Sequence, residues 1–127
     1  MARPDLIGIV VRDMPASLRF YRLLGLNIPA AADTEPHVEV VLAGGFRLAW
    51  DSLNTMKSLY PEWTEPVGHR MTLAFKCAQP AEVDSLYERI LQNGYGGYKA
   101  PWDAFWGQRY AVVVDPDGNL IDLFAGL

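Results

Sequence analysis

The chain has little cysteine: one residue, Cys77, in 127. No internal disulfide can form, so stability must come from burial and hydrogen bonding, as suits a reducing compartment. Long hydrophobic runs are also missing, and nothing approaches the roughly 18 to 20 consecutive apolar residues of a membrane-spanning helix. The opening Met1-Ala2-Arg3-Pro4-Asp5 leads straight into a short apolar stretch and does not read as a secretory signal. A cytoplasmic location is therefore expected. Positive charge is scarce too, with 11 Lys and Arg against 15 Asp and Glu and a net charge of −4. Proteins that bind nucleic acid or anionic membranes carry a basic stripe or cluster, so neither partner is expected. No glycine-rich loop joins a strand to a helix in the way that cradles phosphate; Gly94-Tyr95-Gly96-Gly97 follows a helical pattern and reads as a flexible turn. What is present is an ordinary globular composition, half hydrophobic and one-fifth charged, sized for a single domain.

The hydrophobic pattern orders the elements. Leu6 to Val11 is a mostly β-branched run and predicts a buried strand. Asp13 suits a helix N-cap, Pro15 is tolerated in a first turn, and Met14, Leu18, Tyr21 and Leu24 follow at helical spacing up to Gly25. Val38 to Leu42 and Phe46 to Trp50 predict two strands joined at Gly44-Gly45. Leu53 to Tyr60 predicts a short helix ended by Pro61, and Trp63 to Gly68 a connection. The pattern then restarts. Met71 to Cys77 alternates as a strand, and Pro80 opens a helix whose Val83, Leu86, Tyr87, Ile90 and Leu91 form an amphipathic stripe up to Asn93-Gly94. A short strand is expected at Tyr98 to Ala100, a strong one at Gln108 to Val114, a turn at Asp115-Pro116-Asp117-Gly118, and a last strand at Asn119 to Phe124.

The two proline-opened, glycine-closed helices lie half a chain apart, and the turn-and-strand closings at Gly44-Gly45-Phe46-Arg47-Leu48 and Asp117-Gly118-Asn119-Leu120-Ile121 correspond. Such self-similarity points to two copies of one unit, module 1 spanning about residues 1–64 and module 2 about 65–127 of one domain. Three segments carry a family likeness: Val11-Arg12-Asp13-Met14-Pro15-Ala16-Ser17-Leu18-Arg19-Phe20-Tyr21 through Leu24-Gly25-Leu26; Leu73-Ala74-Phe75 with Pro80 to Gly94; and Trp106-Gly107-Gln108-Arg109-Tyr110 through Asp115-Pro116-Asp117-Gly118-Asn119-Leu120-Ile121-Asp122-Leu123. Together they resemble the glyoxalase/bleomycin-resistance (vicinal oxygen chelate) superfamily over essentially the whole chain. The resemblance implies an α+β fold of two tandem βαβββ modules whose strands curl into an incomplete barrel around a cleft. It also implies a homodimer with the cleft shared between chains, which would protect open strand edges.

Metal-dependent members of that family hold a divalent ion with His, Gln or Glu from several cleft strands, leaving a position open for substrate or water. The corresponding positions here are Leu6, Ala49 and Thr72, which are poor or empty as donors, and Asp122, where the family usually has Glu. Neighbouring Ile7, Gly8, Met71, Leu48 and Trp50 do not improve the set. A site from His69, Asp122 and His37 is the remaining arrangement, but both histidines sit beside strand starts and suit hydrogen-bonded strand ends. No metal and no cofactor are expected. Cys77 falls on the same side as Met71, Leu73 and Phe75, toward the core, and reads as an inert buried thiol. Asp115 and Asp117 belong to a turn that needs them for its backbone. No catalytic residue is assigned.

Alternation puts Leu6, Gly8 and Val10 on one side and Ile7, Ile9 and Val11 on the helix-packed side. It puts Arg47, Ala49, Asp51, Thr72, Ala74, Tyr110, Val112, Leu120, Asp122 and Phe124 in the implied cleft, and Phe46, Leu48, Trp50, Ile121 and Leu123 in the core. A mostly apolar trough with a few charges suits flat organic molecules. Trp102, Phe105 and Trp106 cluster in what reads as a polar loop, and Trp63 and Tyr60 in the connection, where planar rings could stack on a planar or cationic ligand. Phe105 and Trp106 equally suit covering the barrel end. Asp51 and Asp122 are candidate partners for a cationic group, Arg47 and Arg109 are expected to be ion-paired or solvated, and His37 is a candidate polar contact. The candidate ligand-binding set is therefore Trp102, Trp63, Tyr110, Asp51, Asp122, Arg47, Phe105, Trp106 and His37.

Two classes of function follow from the resemblance. One is a metal-free protein that sequesters an aromatic natural-product antibiotic. The other is a lyase, isomerase or dioxygenase of the same superfamily, with a small-metabolite sensor or accessory subunit as further roles. Fold alone does not choose among them.

Overall fold

The computed structural model describes residues 1–127. It contains seven strands and three α-helices in two units, Met1–Pro66 and Val67–Leu127, each with its own sheet. Neither sheet closes on itself, and the architecture is α+β. No helix is long and apolar enough to cross a membrane.

The first unit runs β1 (Leu6–Val11), α1 (Met14–Leu23), β2 (His37–Val41), β3 (Arg47–Ser52) and α2 (Leu53–Leu59). Its strand order is β1-β3-β2, with β1 parallel and β2 antiparallel to β3. The second runs β4 (Leu73–Lys76), α3 (Pro80–Gln92), β5 (Gly96–Ala104), β6 (Gln108–Val114) and β7 (Leu120–Gly126), in the order β4-β7-β6-β5. In both, the opening strand lies parallel to the closing one. This shared plan is the structural form of the sequence repeat.

Local chemistry explains the helix ends. The Asp13 carboxylate accepts the Ala16 amide at 3.0 Å and caps α1, a contact worth about 1 kcal/mol. Gly25 follows at φ +98° and Gly94 follows α3 at φ +88°, conformations that side chains disfavour. In the first unit Tyr21 of α1 meets Trp50 of β3 edge-on, with centroids 5.3 Å apart and both rings fully buried. In the second, the stripe Val83, Leu86 and Ile90 of α3 packs on β5, β6 and β7, where Ala111, Val113, Ile121 and Leu123 are buried.

The structure corrects several expectations. The first unit has no strand between α1 and β2; a 3-10 turn over Ala30–Thr34 stands there. Its alanines favour strands weakly, and Arg22 pins the segment by donating to the Ile28 and Pro29 carbonyls and to Asp33 at 2.7, 2.9 and 2.8 Å. The second unit's counterpart, expected as a short strand at Tyr98 to Ala100, is the nine-residue β5. Irregularities in its pairing between Gly97 and Lys99, and between Lys99 and Trp102, accommodate Pro101 on an edge strand. Gly96-Gly97 is accordingly strand and not flexible turn, and the Tyr87 hydroxyl lies over Gly97 where a side chain would otherwise stand. Strand β4 begins only at Leu73, so the alternation read back to Met71 fails and Met71 is exposed. Phe46 lies before β3 and is only half-buried; Ala49 does share the side of Arg47 and Asp51, but it is fully covered.

Candidate aromatic binding face

Strand register fixes which side chains of the second unit share a face. One cross-strand row is Lys76, Phe124, Tyr110 and Trp102; the next is Ala74, Asp122, Val112 and Lys99. Paired residues point to the same side of a sheet. The opposite side carries the buried residues that α3 covers. The face away from α3 therefore holds three aromatic side chains in one row.

These rings form a connected array. Trp102 meets Tyr110 edge-on at 5.5 Å, and Trp106 meets Trp102 at 6.1 Å and Tyr110 at 5.3 Å. Tyr110 and Phe124 lie nearly parallel at 6.2 Å with a 24° tilt. Phe105 packs edge-on against Trp106 at 5.0 Å yet is 97% exposed, so it covers little. The Trp106 indole donates to Gln108 Oε1 at 2.8 Å, which fixes the ring. Trp102, Tyr110 and Phe124 remain half-buried.

Two charges sit among the rings. The Tyr110 hydroxyl donates to Asp122 Oδ2 at 2.5 Å. Burial, then the Asp122 carboxylate, push the Tyr110 phenol up to about 12, so it is a neutral donor at physiological pH. Lys99 Nζ stands 3.9 Å from the Trp102 ring centroid, a cation–π contact. Arg109 is on the other side, paired with Asp84 of α3 at 2.9 and 3.1 Å and with Asp103 at 3.1 Å. It is thus ion-paired, one of the two states expected for it.

The first unit carries a polar ladder on the side of its sheet opposite Trp50. His37 Nδ1 meets Asp51 at 2.5 Å and Nε2 meets Glu39 at 3.0 Å. Arg47 donates to Glu39 at 3.0 and 3.2 Å and to Asp5 at 2.5 Å. Hydrogen bonds donated to Asp51, then to Glu39, hold the His37 imidazole above its usual value, and the same contact with His37, then Arg47, holds Glu39 below its own. Asp51 and Arg47 are thereby occupied by protein partners. Trp63 lies beyond α2, where Tyr60, Glu62, Trp63, Thr64 and Pro66 line an open hollow of about 480 Å³.

Of the residues singled out from sequence, the structure brings together Trp102, Phe105, Trp106, Tyr110 and Asp122 on the second unit. It brings together His37, Asp51 and Arg47 on the first, and places Trp63 in the connection. It also places Trp102 on a strand, where a loop was expected. Lys76, Lys99 and Gln108 join the aromatic face without having been anticipated. Lys76 follows Ala74 by simple alternation. Lys99 and Trp102 are three residues apart and share a face only because β5 is irregular between them.

The residues do not fit a divalent ion. Leu6 and Ala49 lack donor atoms, Thr72 offers only a neutral hydroxyl, and one oxygen of Asp122 already accepts from Tyr110. His69 is exposed before β4, both nitrogens of His37 face carboxylates, and no three His, Cys, Asp or Glu side chains are grouped to hold a metal. Cys77 is buried, and burial raises its thiol.

Residues 3–123 match the model of the Glyoxalase/Bleomycin resistance protein/Dioxygenase superfamily. Among solved structures, a glyoxalase/bleomycin resistance protein/dioxygenase family enzyme from Burkholderia phytofirmans PsJN is 20% identical, with 99% of this chain and 100% of that one covered and a TM-score of 0.84. A glyoxalase-related enzyme from Fulvimarina pelagi is 21% identical over 99% of this chain and 89% of that one, also at 0.84. A protein of unknown function from Agrobacterium tumefaciens C58 is 27% identical over 100% and 95%, at 0.71. No curated protein matches the chain.

Proposed function

The chain belongs to the Glyoxalase/Bleomycin resistance protein/Dioxygenase superfamily, and on that premise we propose that it is a non-catalytic binding protein for a small planar organic molecule. Its action would be that of a resistance protein that sequesters an aromatic natural-product antibiotic. The observation that carries this reading is the row Phe124, Tyr110 and Trp102, half-buried on one sheet face with Trp106 beside it. Rings held by strands lose little freedom when a flat molecule stacks on them, so the contact area is turned into affinity with small ordering cost. Each well-placed aromatic pair adds about 0.5–1.5 kcal/mol beyond the area buried. The donor set supports binding over transformation, because the family's ion positions supply one carboxylate, already hydrogen-bonded.

No cofactor, nucleic acid or membrane enters the proposal. A homodimer does, because each sheet ends in strands with unpaired backbone groups that a second copy could satisfy. Light scattering at the mass of two chains is the expected result.

Two solved relatives are described as enzymes, so the test must separate holding from converting. The purified protein is titrated with planar aromatic compounds while its tryptophan emission is followed, first as isolated and then with added zinc, manganese, nickel or iron(II). Saturable quenching at micromolar concentration with every compound recovered intact is expected. Conversion of a bound compound, or one tightly held metal ion per chain, would overturn the proposal.

A further inference from the structure

We propose that the ligand of the aromatic face is a planar aromatic acid whose anionic group is held by Lys99, while Lys76, on the opposite edge strand of the sheet, adds positive potential at the other end of the row. This rests on the reading that the face binds a planar molecule, and it narrows the charge of that molecule. A cationic ligand would be the simple expectation for a chain of net charge −4. The distribution of charge on this face argues the reverse.

The chain has three lysines, Lys57, Lys76 and Lys99, and two of them fall on the aromatic face. Neither has a carboxylate partner, although acidic residues outnumber basic ones overall. Four of the eight arginines are tied to carboxylates, none of them on this face: Arg12 to Glu65, Arg22 to Asp33, Arg47 to Asp5 and Glu39, and Arg109 to Asp84 and Asp103. The one strand carboxylate on the face, Asp122, accepts the Tyr110 hydroxyl. The two rows of the face thus hold two unpaired ammonium groups against one hydrogen-bonded carboxylate.

Geometry places these charges beside the rings. Lys99 Nζ lies over the Trp102 ring at 3.9 Å, so its charge is already desolvated on one side. Strand β6 is next to Lys99's strand, about 4.8 Å away, and it carries Tyr110, whose ring runs nearly parallel to Phe124. An arene lying across Tyr110 and Phe124 brings a carboxylate on its rim to Lys99, and Lys76 flanks Phe124 on the far side. An ammonium group in the same place would meet Lys99 with like charge, and Asp122, with one oxygen accepting from Tyr110, is the one carboxylate on the face to offset it.

The test uses three probes of one shape, 2-naphthoate, 2-naphthylmethanol and 2-naphthylmethylammonium, titrated calorimetrically into the full chain at pH 7 and low salt. Naphthoate is expected to bind at least tenfold more tightly than the alcohol, and the ammonium compound least tightly. In Lys99→Met the ratio of acid to alcohol affinity should fall several-fold, and in the Lys76→Met/Lys99→Met double variant it should approach one. Equal affinities for the three probes, preference for the ammonium compound, or an unchanged ratio in the double variant would overturn the anion proposal and leave planar binding standing. Absence of binding by all three would bring down the planar-ligand reading and this inference with it.

Discussion

The hydroxyl of Tyr110 on β6 donates a 2.5 Å hydrogen bond to Asp122 on β7, one row away across an antiparallel pair. The bond ties an aromatic ring of the face away from α3 to the carboxylate beside it. It sets the Tyr110 ring between Trp102 and Phe124. It also engages one of the two carboxylate oxygens that a cation would otherwise use.

Tyr110→Phe keeps the ring and removes the donor. We expect a loss of stability of about 1–2 kcal/mol, because the half-buried carboxylate loses a charge-assisted bond, measured by urea unfolding. The phenol itself should titrate near the value of about 12 set by burial and Asp122. A raised folded-state value means that its contribution is complete below the ordinary tyrosine range near 10 and is lost as pH rises toward 12. Absorbance at alkaline pH, compared with Tyr110→Phe, should show the Tyr110 phenol ionising late, and Asp122→Asn should bring it earlier.

His37 should titrate above the ordinary histidine value, because Asp51 and then Glu39 hold its charged form. Its contribution to stability is then complete below about 6.5 and fades as pH rises through the folded-state value. The imidazole is about half exposed, with 46% of its side chain accessible, so the stability change should be small and screened by salt. Proton NMR of the ring should report the raised value, and Asp51→Asn should lower it more than Glu39→Gln does.

Asp115 holds the last turn from inside. Its carboxylate accepts the Asp117 amide, the Asn119 amide and the Asn119 side chain at 2.9, 2.8 and 2.8 Å, while the residue is 4% exposed. Asp115→Ala leaves those donors unmet, and we expect a cost of about 2–4 kcal/mol. Asp117→Ala should cost less. Comparative thermal melts would show the order, and equal losses would contradict the assignment.

Gly97 and Tyr87 should behave as a pair. A methyl group on Gly97 would overlap the Tyr87 hydroxyl and crowd Leu91, so Gly97→Ala is expected to destabilise by about 1–3 kcal/mol through overpacking. In a Tyr87→Ala background the same change should cost markedly less. Additive losses in the double variant would show that the two residues do not meet.

Much of the fold was legible in the sequence because its signals are local. Asp13, Pro15 and Gly25 mark α1, Pro80 and Gly94 mark α3, and Asp115 to Gly118 marks the final turn, each through backbone chemistry confined to a few residues. Strand alternation correctly put Tyr110, Val112, Asp122 and Phe124 on one side. It failed where register breaks. The irregular β5 moved Trp102 from an expected loop onto a strand and brought Lys99 to its face, and no alternation rule anticipates a shifted pairing. Partnering was also invisible: Asp51 and Asp122 look available in sequence, but His37 and Tyr110 reach them from other strands, 14 and 12 residues away. The 3-10 turn at Ala30–Thr34 depends on Arg22, whose role is set by a bond to Asp33 across the loop.

The central claim is that Trp102 and its neighbours hold a flat molecule by stacking. Affinity for 2-naphthoate in Trp102→Ala, compared with the unaltered chain after unfolding curves show both folded, tests it most directly. Stacking on an indole contributes about 1–3 kcal/mol per ring, so a loss of at least about fivefold is expected. Affinity unchanged within twofold would contradict the account.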